Sequence, residues 1–516
     1  MSINEIFSNE LANNGVRTRV TVKRRRESRE SGIAVMLTAI MLLFTIPAMG
    51  LAIDAGLMYV IRGRLTAACD AASLATARNL NLGLTLSEQT AAATVRGTAF
   101  FSANFPAGYL GTTGTTPAIS VAQTNLSTIT VTTTATTNSP LYFMRILGGT
   151  TAVAGAVGKA SRRDVNLMLV LDRSGSMAGT PCSDMVTAAK TFVNMFVNGR
   201  DTLGMVTFGS SVYLAYPPSV NFRASGSLLT TAIDAIGCSG GTNTSDSYMM
   251  AYNQLVLLNE PLALNLIVFF TDGLPTAFAA TFPIKTVSDT RYGGSGYSCG
   301  TGGECTIPKS TCVDNNGRDS THPQWGTFGT GKSGVVAAAS PATSATGYTL
   351  GLLARTATSS NGGDSMASSS VLNGCAMASS WIYFRQDIAY LPDTDSNGLS
   401  TSGYQSVTQF SNSHGAYPNR KRPDTPINVT RAAMNLADNA AAAARANATL
   451  NVVTYTIGLG GNGGVDDVLL KRMANDPVSP IHDITKPDGL YTYAPNSSDL
   501  NQAFARIAGE ILRLAQ

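Results

Sequence analysis

The stretch VNLMLVLDRSGSM, residues 165–177, decides the fold of this 516-residue chain. Six of its first seven residues are apolar, as expected for a parallel β-strand that is covered on both faces. The strand ends at Asp172, and the Ser-Gly loop after it leads into residues 183–198, where apolar side chains recur at helical spacing. Strand, polar loop and helix in this order predict an α/β sheet whose sites lie at the carboxyl ends of its strands.

The same alternation of strands and helices continues to the end of the sequence. Later strands are predicted at 203–210, 211–218, 264–270 and 451–459, with helical segments between them and a last strand and helix after residue 490. We therefore predict a doubly wound, mostly parallel sheet domain over residues 163–516. About 150 residues, 280–430, are inserted between its fourth and fifth strands. An insertion at the sheet edge is expected to lie near the carboxyl-end loops and to influence binding there.

Oxygen-bearing side chains from three loops meet at this predicted edge. They are Asp172, Ser174, Ser176, Thr242 and Asp272. Carboxylate and hydroxyl oxygens suit a hard divalent cation such as Mg²⁺ or Mn²⁺. An open position on such an ion would accept a carboxylate from a protein ligand. Thr244 is an alternative to Thr242, and an ordinary Ser-Gly turn at DRSGSM is the alternative to a metal site.

This constellation resembles the metal-ion-dependent adhesion site of von Willebrand factor type A domains. Its three parts, DxSxS, the threonine of GGTNT and the aspartate of TDG, stand here in order and on the expected elements. The resemblance implies a domain that binds a protein ligand through the metal and is not an enzyme. The residues agree with that expectation, because neither serine of the loop lies in a GxSxG motif and no histidine is near a nucleophile in sequence.

The N-terminal region predicts a membrane anchor. Seven basic residues lie between positions 17 and 29, and an uncharged stretch of 23 residues, 31–53, follows them. As a helix this stretch would span about 34 Å, enough to cross a hydrocarbon core. The positive-inside rule places the basic tail, 1–30, in the cytoplasm and the bulk of the chain in the periplasm or at the surface. A cleaved signal peptide is the alternative, but its apolar region would be shorter.

Residues 31–80 are predicted to form a transmembrane helix that continues as an amphipathic helix. Residues 81–160 are predicted to form a small β-rich, pilin-like unit, because β-branched residues alternate there between turn residues. The segment resembles TadG-like proteins of the tight-adherence (Flp) pilus system. The resemblance is carried by the basic start, the apolar helix, Asp54-Ala-Gly56 and the stretch Cys69-Asp-Ala-Ala72. Prepilins carry a glutamate five residues after the cleavage glycine, where this chain has Leu37, so no prepilin processing is expected.

Six of the seven cysteines lie well beyond the predicted span, where disulfides are permitted. Cys182 and Cys238 fall on two loops of the same predicted face, so we pair them. The other four, at 299, 305, 312 and 375, allow three connectivities. A zinc site is disfavoured because no CxxC pair occurs and only His322 is nearby. Cys69 is expected to be a buried thiol, with an intermolecular disulfide as the alternative.

Two further patterns are weaker. Asp393, Asp395 and Asn397 resemble the front half of a calcium loop and would hold a structural Ca²⁺, but position 12 is Tyr404 and an Asx turn is the alternative. Residues 326–333, GTFGTGKS, match the phosphate-binding pattern GxxxxGK[ST]. That pattern requires a strand before it and a helix after it, and the preceding NNGRDSTHPQW is not a strand. We expect a chance match and no nucleotide-dependent enzyme.

Together these features predict a membrane-anchored pilus-assembly and adhesion protein of the bacterial inner membrane. It would bind a protein ligand through the metal site, and its N-terminal unit would contact other pilus components or pseudopilins. The net charge of +4 gives no support for nucleic-acid binding. The alternative from another class is an envelope scaffold or sensor that uses the type A domain for protein binding without a pilus role.

Overall fold

The chain is described here as a computed structural model. It describes residues 31–80, 86–125, 128–226, 228–285, 289–292, 304–307, 331–338, 349–362, 388–412, 416–423, 426–460 and 464–515. The predicted basic tail, 1–30, lies outside the described residues.

Helix α1, Ser31–Arg78, is the long N-terminal helix that the sequence predicts. Its side chains from Ile33 to Met49 are exposed. Within the described part of the chain, α1 is the one helix long and apolar enough to cross a membrane. Its second half is different, because Ile61, Leu65 and neighbouring alanines are buried against the small unit that follows. One helix therefore has an unpacked apolar half and a packed half.

The small unit contains a helix and three antiparallel strands. They are α2 (Leu86–Asn104), β1 (Thr113–Asn125), β2 (Thr128–Pro140) and β3 (Thr151–Arg163). The sheet has the order β1-β2-β3, and its buried face packs on α1 and α2. Helix α2 was not predicted, because its buried side chains are few and mostly small, so the apolar periodicity of LSEQTAAATVRGTAFFSAN is weak.

A six-stranded sheet forms the second domain, and the predicted doubly wound, mostly parallel fold is confirmed. Its strands are β4 (Val165–Asp172), β5 (Thr202–Phe208), β6 (Val212–Ser219), β7 (Leu264–Thr271), β13 (Val453–Leu459) and β14 (Leu490–Ala494). Their order is β14-β13-β7-β4-β5-β6, and only the edge strand β6 is antiparallel to its neighbour. The first strand of the domain, β4, is central, so its carboxyl end lies in the middle of the edge that carries the site.

Helices cover both faces of this sheet. They are α3 (Thr180–Val193), α4 (Leu229–Asp234), α5 (Thr244–Leu258), α6 (Pro426–Ala446), α7 (Asp467–Ala474) and α8 (Leu500–Leu514). Alternate residues of β4 point to opposite layers: Leu167 and Leu169 face the α3 and α8 layer, whereas Met168 and Val170 face the α5 and α6 layer. This double coverage explains why β4 is a continuous apolar run.

The small sheet and the large sheet are joined by a single residue, Asp164. Arg200 Nε donates to Asp164 Oδ1 at 2.7 Å, and buried Arg162 pairs with Asp201 at 3.2 Å. The amide of Arg163 donates to the carbonyl of Ala515 at 2.6 Å. Strand β3 therefore continues into β4 through a junction that is fixed by ion pairs and by the end of α8.

Within its described residues, the insertion contributes five further strands in two small sheets. They are β8 (Ala277–Pro283), β9 (Asp289–Tyr292), β10 (Glu304–Ile307), β11 (Gly331–Ala338) and β12 (Thr349–Leu353). Strands β12, β11 and β8 form an antiparallel sheet whose phenylalanines, Phe278 and Phe282, pack on α6. Residue 280 lies inside strand β8 and residue 430 lies inside helix α6. Both ends of the predicted insertion therefore fall within regular elements that pack on each other.

Candidate metal centre

Asp172 is the last residue of β4, and its carboxylate is fully buried. Its Oδ1 accepts a hydrogen bond from the amide of Ser174 at 2.7 Å. Its Oδ2 accepts from the hydroxyl of Thr271, the last residue of the adjacent strand β7, at 2.5 Å. Two neighbouring parallel strands thus end side by side and fix the orientation of this carboxylate.

Asp272 follows Thr271 and brings a second carboxylate to the same place. Its Oδ1 accepts from Ser176 Oγ at 2.8 Å and, more weakly, from Ser174 Oγ at 3.5 Å. The two serine hydroxyls lie 3.1 Å apart. Asp172, Ser174, Ser176 and Asp272, four of the five predicted ligands, are therefore brought together by the fold, and their oxygens form a continuous polar cluster at the carboxyl edge of the sheet.

Thr242, the fifth predicted ligand, lies in a loop that is bonded to the first one. The amide of Gly175 donates to the carbonyl of Gly240 at 2.8 Å. The amide of Thr242 donates to Thr276 Oγ1 at 3.0 Å, and hydrogen bonds in the described part of the chain hold Thr242 only through its backbone. Its hydroxyl is thus not bonded to the other four residues. The hydroxyl of Thr244, the alternative ligand, is buried without a hydrogen-bond partner among the described residues.

A disulfide between Cys182 and Cys238 fixes the spacing of these loops, as predicted. Cys182 lies in the first turn of α3, just after the serine loop, and Cys238 lies just before the glycines that precede Thr242. Of the remaining cysteines, Cys69 is a buried free thiol. Cys299, Cys312 and Cys375 lie outside the described residues, as does His322.

Two carboxylates that would carry like charges, those of Asp172 and Asp272, are buried next to each other at this site. Burial raises the pKa of Asp172 above its ordinary value, and the nearby carboxylate of Asp272 raises it further. Burial also raises the pKa of Asp272, although hydrogen bonds from Ser176 and Ser174 oppose that shift. Without a cation the pair therefore favours retention of a proton.

The donor set fits a hard divalent cation. The five predicted ligands offer carboxylate and hydroxyl oxygens only, and the buried carboxylates repel each other unless a positive charge or a proton lies nearby. The described residues contain no group of three or more histidine, cysteine, aspartate or glutamate side chains arranged to hold a metal.

Two neighbours of the site were missed by sequence reasoning. Thr271 orients Asp172, and its position before the aspartate of TDG was the available signal. A segment of the insertion, residues 354–362, lies beside the loops: Gly362 O accepts from Arg173 Nη1 at 2.8 Å, and Ser360 O accepts from the Gly237 amide at 3.1 Å. The expected proximity of the insertion to this face is thus seen for that segment.

The aspartates of the segment that resembles a calcium loop accept hydrogen bonds or form ion pairs within the protein. Asp395 Oδ1 accepts from the amides of Asn397 and Leu399, each at 2.8 Å, which is an Asx-type turn. Asp393 pairs with Lys421 at 2.9 Å and with Arg420 at 3.2 Å. These contacts favour the turn that was the alternative to a structural Ca²⁺ site.

The described end of the phosphate pattern does not have the required backbone. Gly331–Ala338 forms strand β11, where the pattern requires a helix after the loop. The preceding residues, 308–330, lie outside the described residues. The geometry therefore lends no support to a nucleotide site.

Two family models match parts of the chain. Residues 167–274 match the von Willebrand factor type A domain. Residues 32–79 match the Flp pilus-assembly TadE/G-like family. The comparison with curated proteins gave no match.

Several solved structures align with much of the chain at low identity. The vWF domain of the type V pili tip protein Mfa5 from Porphyromonas gingivalis has 17% identity and a TM-score of 0.34, covering 69% of this chain and 98% of that one. The PilB minor pilin from Streptococcus sanguinis has 13% identity and a TM-score of 0.32, covering 78% and 79%. The pilus adhesin SpaC from Lactobacillus rhamnosus GG has 12% identity and a TM-score of 0.32, covering 77% and 34%.

All three TM-scores are below 0.5, so similarity over the whole chain is limited. The family matches cover separate segments, one on α1 and one on the six-stranded sheet with the site loops. The chain carries a TadE/G-like segment at residues 32–79 and a von Willebrand factor type A domain, of which residues 167–274 are the matched part.

Proposed function

We propose that this chain is a membrane-anchored, pilus-associated adhesion protein whose type A domain binds a protein ligand through a divalent cation. The observation that carries the proposal is the buried carboxylate pair, Asp172 and Asp272, with the hydroxyls of Ser174 and Ser176 beside it. These four oxygen-bearing residues, with Thr242 in the adjacent loop, would hold Mg²⁺ or Mn²⁺. When bound, the cation would supply a Lewis-acid position for a carboxylate of the partner.

The residues of the chain contribute separate parts of this function. Thr271 and the amide of Ser174 hold both oxygens of Asp172, so that carboxylate is preorganised before any ion binds. The bond between Gly175 and Gly240 and the disulfide between Cys182 and Cys238 fix the serine and threonine loops relative to each other. The pilus assignment rests on the TadE/G-like match in α1, which also supports contacts with other pilus components.

Thermal unfolding of the full chain in detergent tests the cation site. Wild type in EDTA is compared with wild type in Mg²⁺ or Mn²⁺. At about 100 times its dissociation constant, a bound ion adds about 2.7 kcal/mol to the free energy of unfolding. In the Asp272→Asn variant this increase is expected to vanish, and the protein in EDTA should become more stable because the like-charge repulsion is gone. An equal increase in Asp272→Asn, or none in wild type, contradicts the site.

The matched control is Asp234→Asn. Asp234 is an exposed aspartate at the end of α4, where it pairs with Lys190. Its substitution removes the same charge and should leave the metal-dependent increase intact.

The pilus part of the proposal has its own test. Removal of the whole chain from the cell should reduce both pilus assembly and surface adhesion, whereas Asp272→Asn should reduce adhesion and leave the level of the protein unchanged. Unchanged pili and unchanged adhesion in the deletion strain would favour an envelope scaffold instead.

A further inference from the structure

Residues 141–149, in the loop between β2 and β3, expose three large apolar side chains. Tyr142 is 60% exposed, Phe143 is 42% exposed and Ile146 is 81% exposed. They lie within five residues of each other on one end of the small sheet. An exposed apolar cluster of this kind marks a surface that contacts an apolar partner.

Asp54 of α1 holds this loop in place. Its carboxylate accepts hydrogen bonds from three consecutive amides, those of Tyr142 at 3.0 Å, Phe143 at 3.1 Å and Met144 at 2.8 Å. Asp54 is also the first charged residue after the uncharged stretch 31–53. The loop is therefore held beside the point on α1 where the apolar half of the helix ends.

Phe143 extends past that level toward the apolar half. A Cβ built on Gly50 would lie 2.5 Å from Phe143 Cβ, so only a glycine accommodates the loop there. Gly50 lies four residues before Asp54, about 6 Å further into the apolar stretch. Gly50 is buried, whereas Met49, Leu51 and their neighbours remain exposed. The apolar surface of the loop is thus continuous with that of the helix.

A second loop lies at the same end of the sheet. Leu110 is 43% exposed and has a φ of 47°. A Cβ on the next residue, Gly111, would lie 3.3 Å from Tyr142 Oη, so the two loops are adjacent. The exposed Arg145 adds a positive charge to the cluster. Aromatic rings, aliphatic side chains and an arginine are the composition found where proteins enter the headgroup zone of a bilayer.

We propose that loop 141–149, together with Leu110, inserts into the headgroup region of the membrane that α1 crosses and holds the small sheet against the lipid surface. The partner is a phospholipid leaflet, because the loop joins the lipid-facing half of α1 without a gap. The inference rests on α1 being a membrane span and does not depend on the metal site.

Fluorescence quenching by brominated lipids tests this contact. The full chain, with Trp325→Phe and Trp381→Phe, receives one new reporter, Ile146→Trp, and is placed in phosphatidylcholine nanodiscs that each hold one copy. Lipids brominated near the upper end of the acyl chains should remove most of the emission of this reporter. Tyr142→Trp, an aromatic replacement in the same loop, is the second reporter and should behave alike if the first fails to fold.

The matched control is Val157→Trp on β3. Val157 is exposed, and its neighbour Gly158 contacts Cys69 of α1. Cys69 lies 15 residues beyond Asp54, about 22 Å along the helix, so this reporter should not be quenched. Unquenched emission from both loop reporters in single-copy nanodiscs overturns the proposal. Burial of the loop reporters that appears only when several copies share a vesicle also overturns it, in favour of an interface between copies.

Discussion

Two buried aspartates, Asp54 and Asp172, illustrate different uses of the same side chain. Both stand at the end of an apolar run, and both are almost fully buried. The oxygens of Asp54 accept from three backbone amides and face no second carboxylate among its contacts in the described residues. Asp172 lies beside Asp272 and a pair of serine hydroxyls. Burial alone therefore does not distinguish the two aspartates; the groups that their oxygens contact do.

The largest predicted effect concerns the disulfide that joins the two loops of the proposed cation site. Cys238→Ser opens a disulfide between residues 56 apart, and closure of a loop of that size contributes about 4 kcal/mol. Urea unfolding of the detergent-solubilised chain, without reductant, measures the loss. Cys69→Ser, which replaces a buried free thiol, is the control and should cost much less. Equal stability of wild type and Cys238→Ser would contradict a structural role for the bond.

The next prediction concerns the three backbone amides that donate hydrogen bonds to Asp54. Asp54→Asn leaves one carbonyl oxygen for three donors and removes the negative charge, so the loop should detach from α1. Hydrogen exchange should accelerate at Tyr142, Phe143 and Met144. The same substitution at Asp172 should leave those amides protected. Slow exchange in Asp54→Asn would mean that packing of Phe143 on Gly50 is sufficient to hold the loop.

Measured per pH unit, the smallest predicted effect is the slope in stability that comes from the carboxylate pair. Because the folded pKa values of Asp172 and Asp272 are raised, the folded protein without metal binds protons more tightly than the unfolded chain. Its stability in EDTA should therefore fall as pH rises above about 4, by at most about 1.4 kcal/mol per pH unit for each proton. Denaturant titrations between pH 4 and neutrality measure the slope.

Two changes should alter this slope: addition of the cation to wild type, and substitution of Asp272 in the absence of metal. Saturating Mg²⁺ should remove the fall, because the cation replaces the proton, and its affinity should rise with pH. Asp272→Asn should reduce the slope without metal, because one of the two carboxylates is gone, although burial still raises the pKa of Asp172. A stability in EDTA that rises with pH over this range, in wild type only, would reverse the sign and contradict the raised pKa values.

The sequence predicted the parts of the fold that depend on local pattern. The apolar run of β4, the DxSxS loop and the helical spacing after it are local, and the structure has each of them. The pairing of Cys182 with Cys238 followed from two loops that share one face. Helix α2 was missed because alanine and threonine give little periodicity, and the strands of the insertion were missed because turn-rich segments surround them.

Contacts between residues that are distant in sequence could not be predicted from local pattern. Asp54 lies 88 residues from Tyr142, and nothing near either residue indicates the other. Thr271 was visible in the sequence, but its bond to Asp172 depends on the register of β4 with β7. The arrangement of the four oxygen-bearing residues was predictable because parallel strands end at one edge. The position of the Thr242 hydroxyl was not, because it depends on the path of a loop.

The single-residue junction at Asp164 has a mechanical consequence. A partner that pulls on the loops after Asp172 applies tension to the carboxyl end of β4, in the centre of its sheet. That tension passes along β4 and directly into β3, with no flexible linker to absorb it, and then to α1 through the packing of the small sheet. Load applied at the proposed binding loops would thus reach α1 along nearly one continuous length of backbone, roughly 70 Å for the two strands.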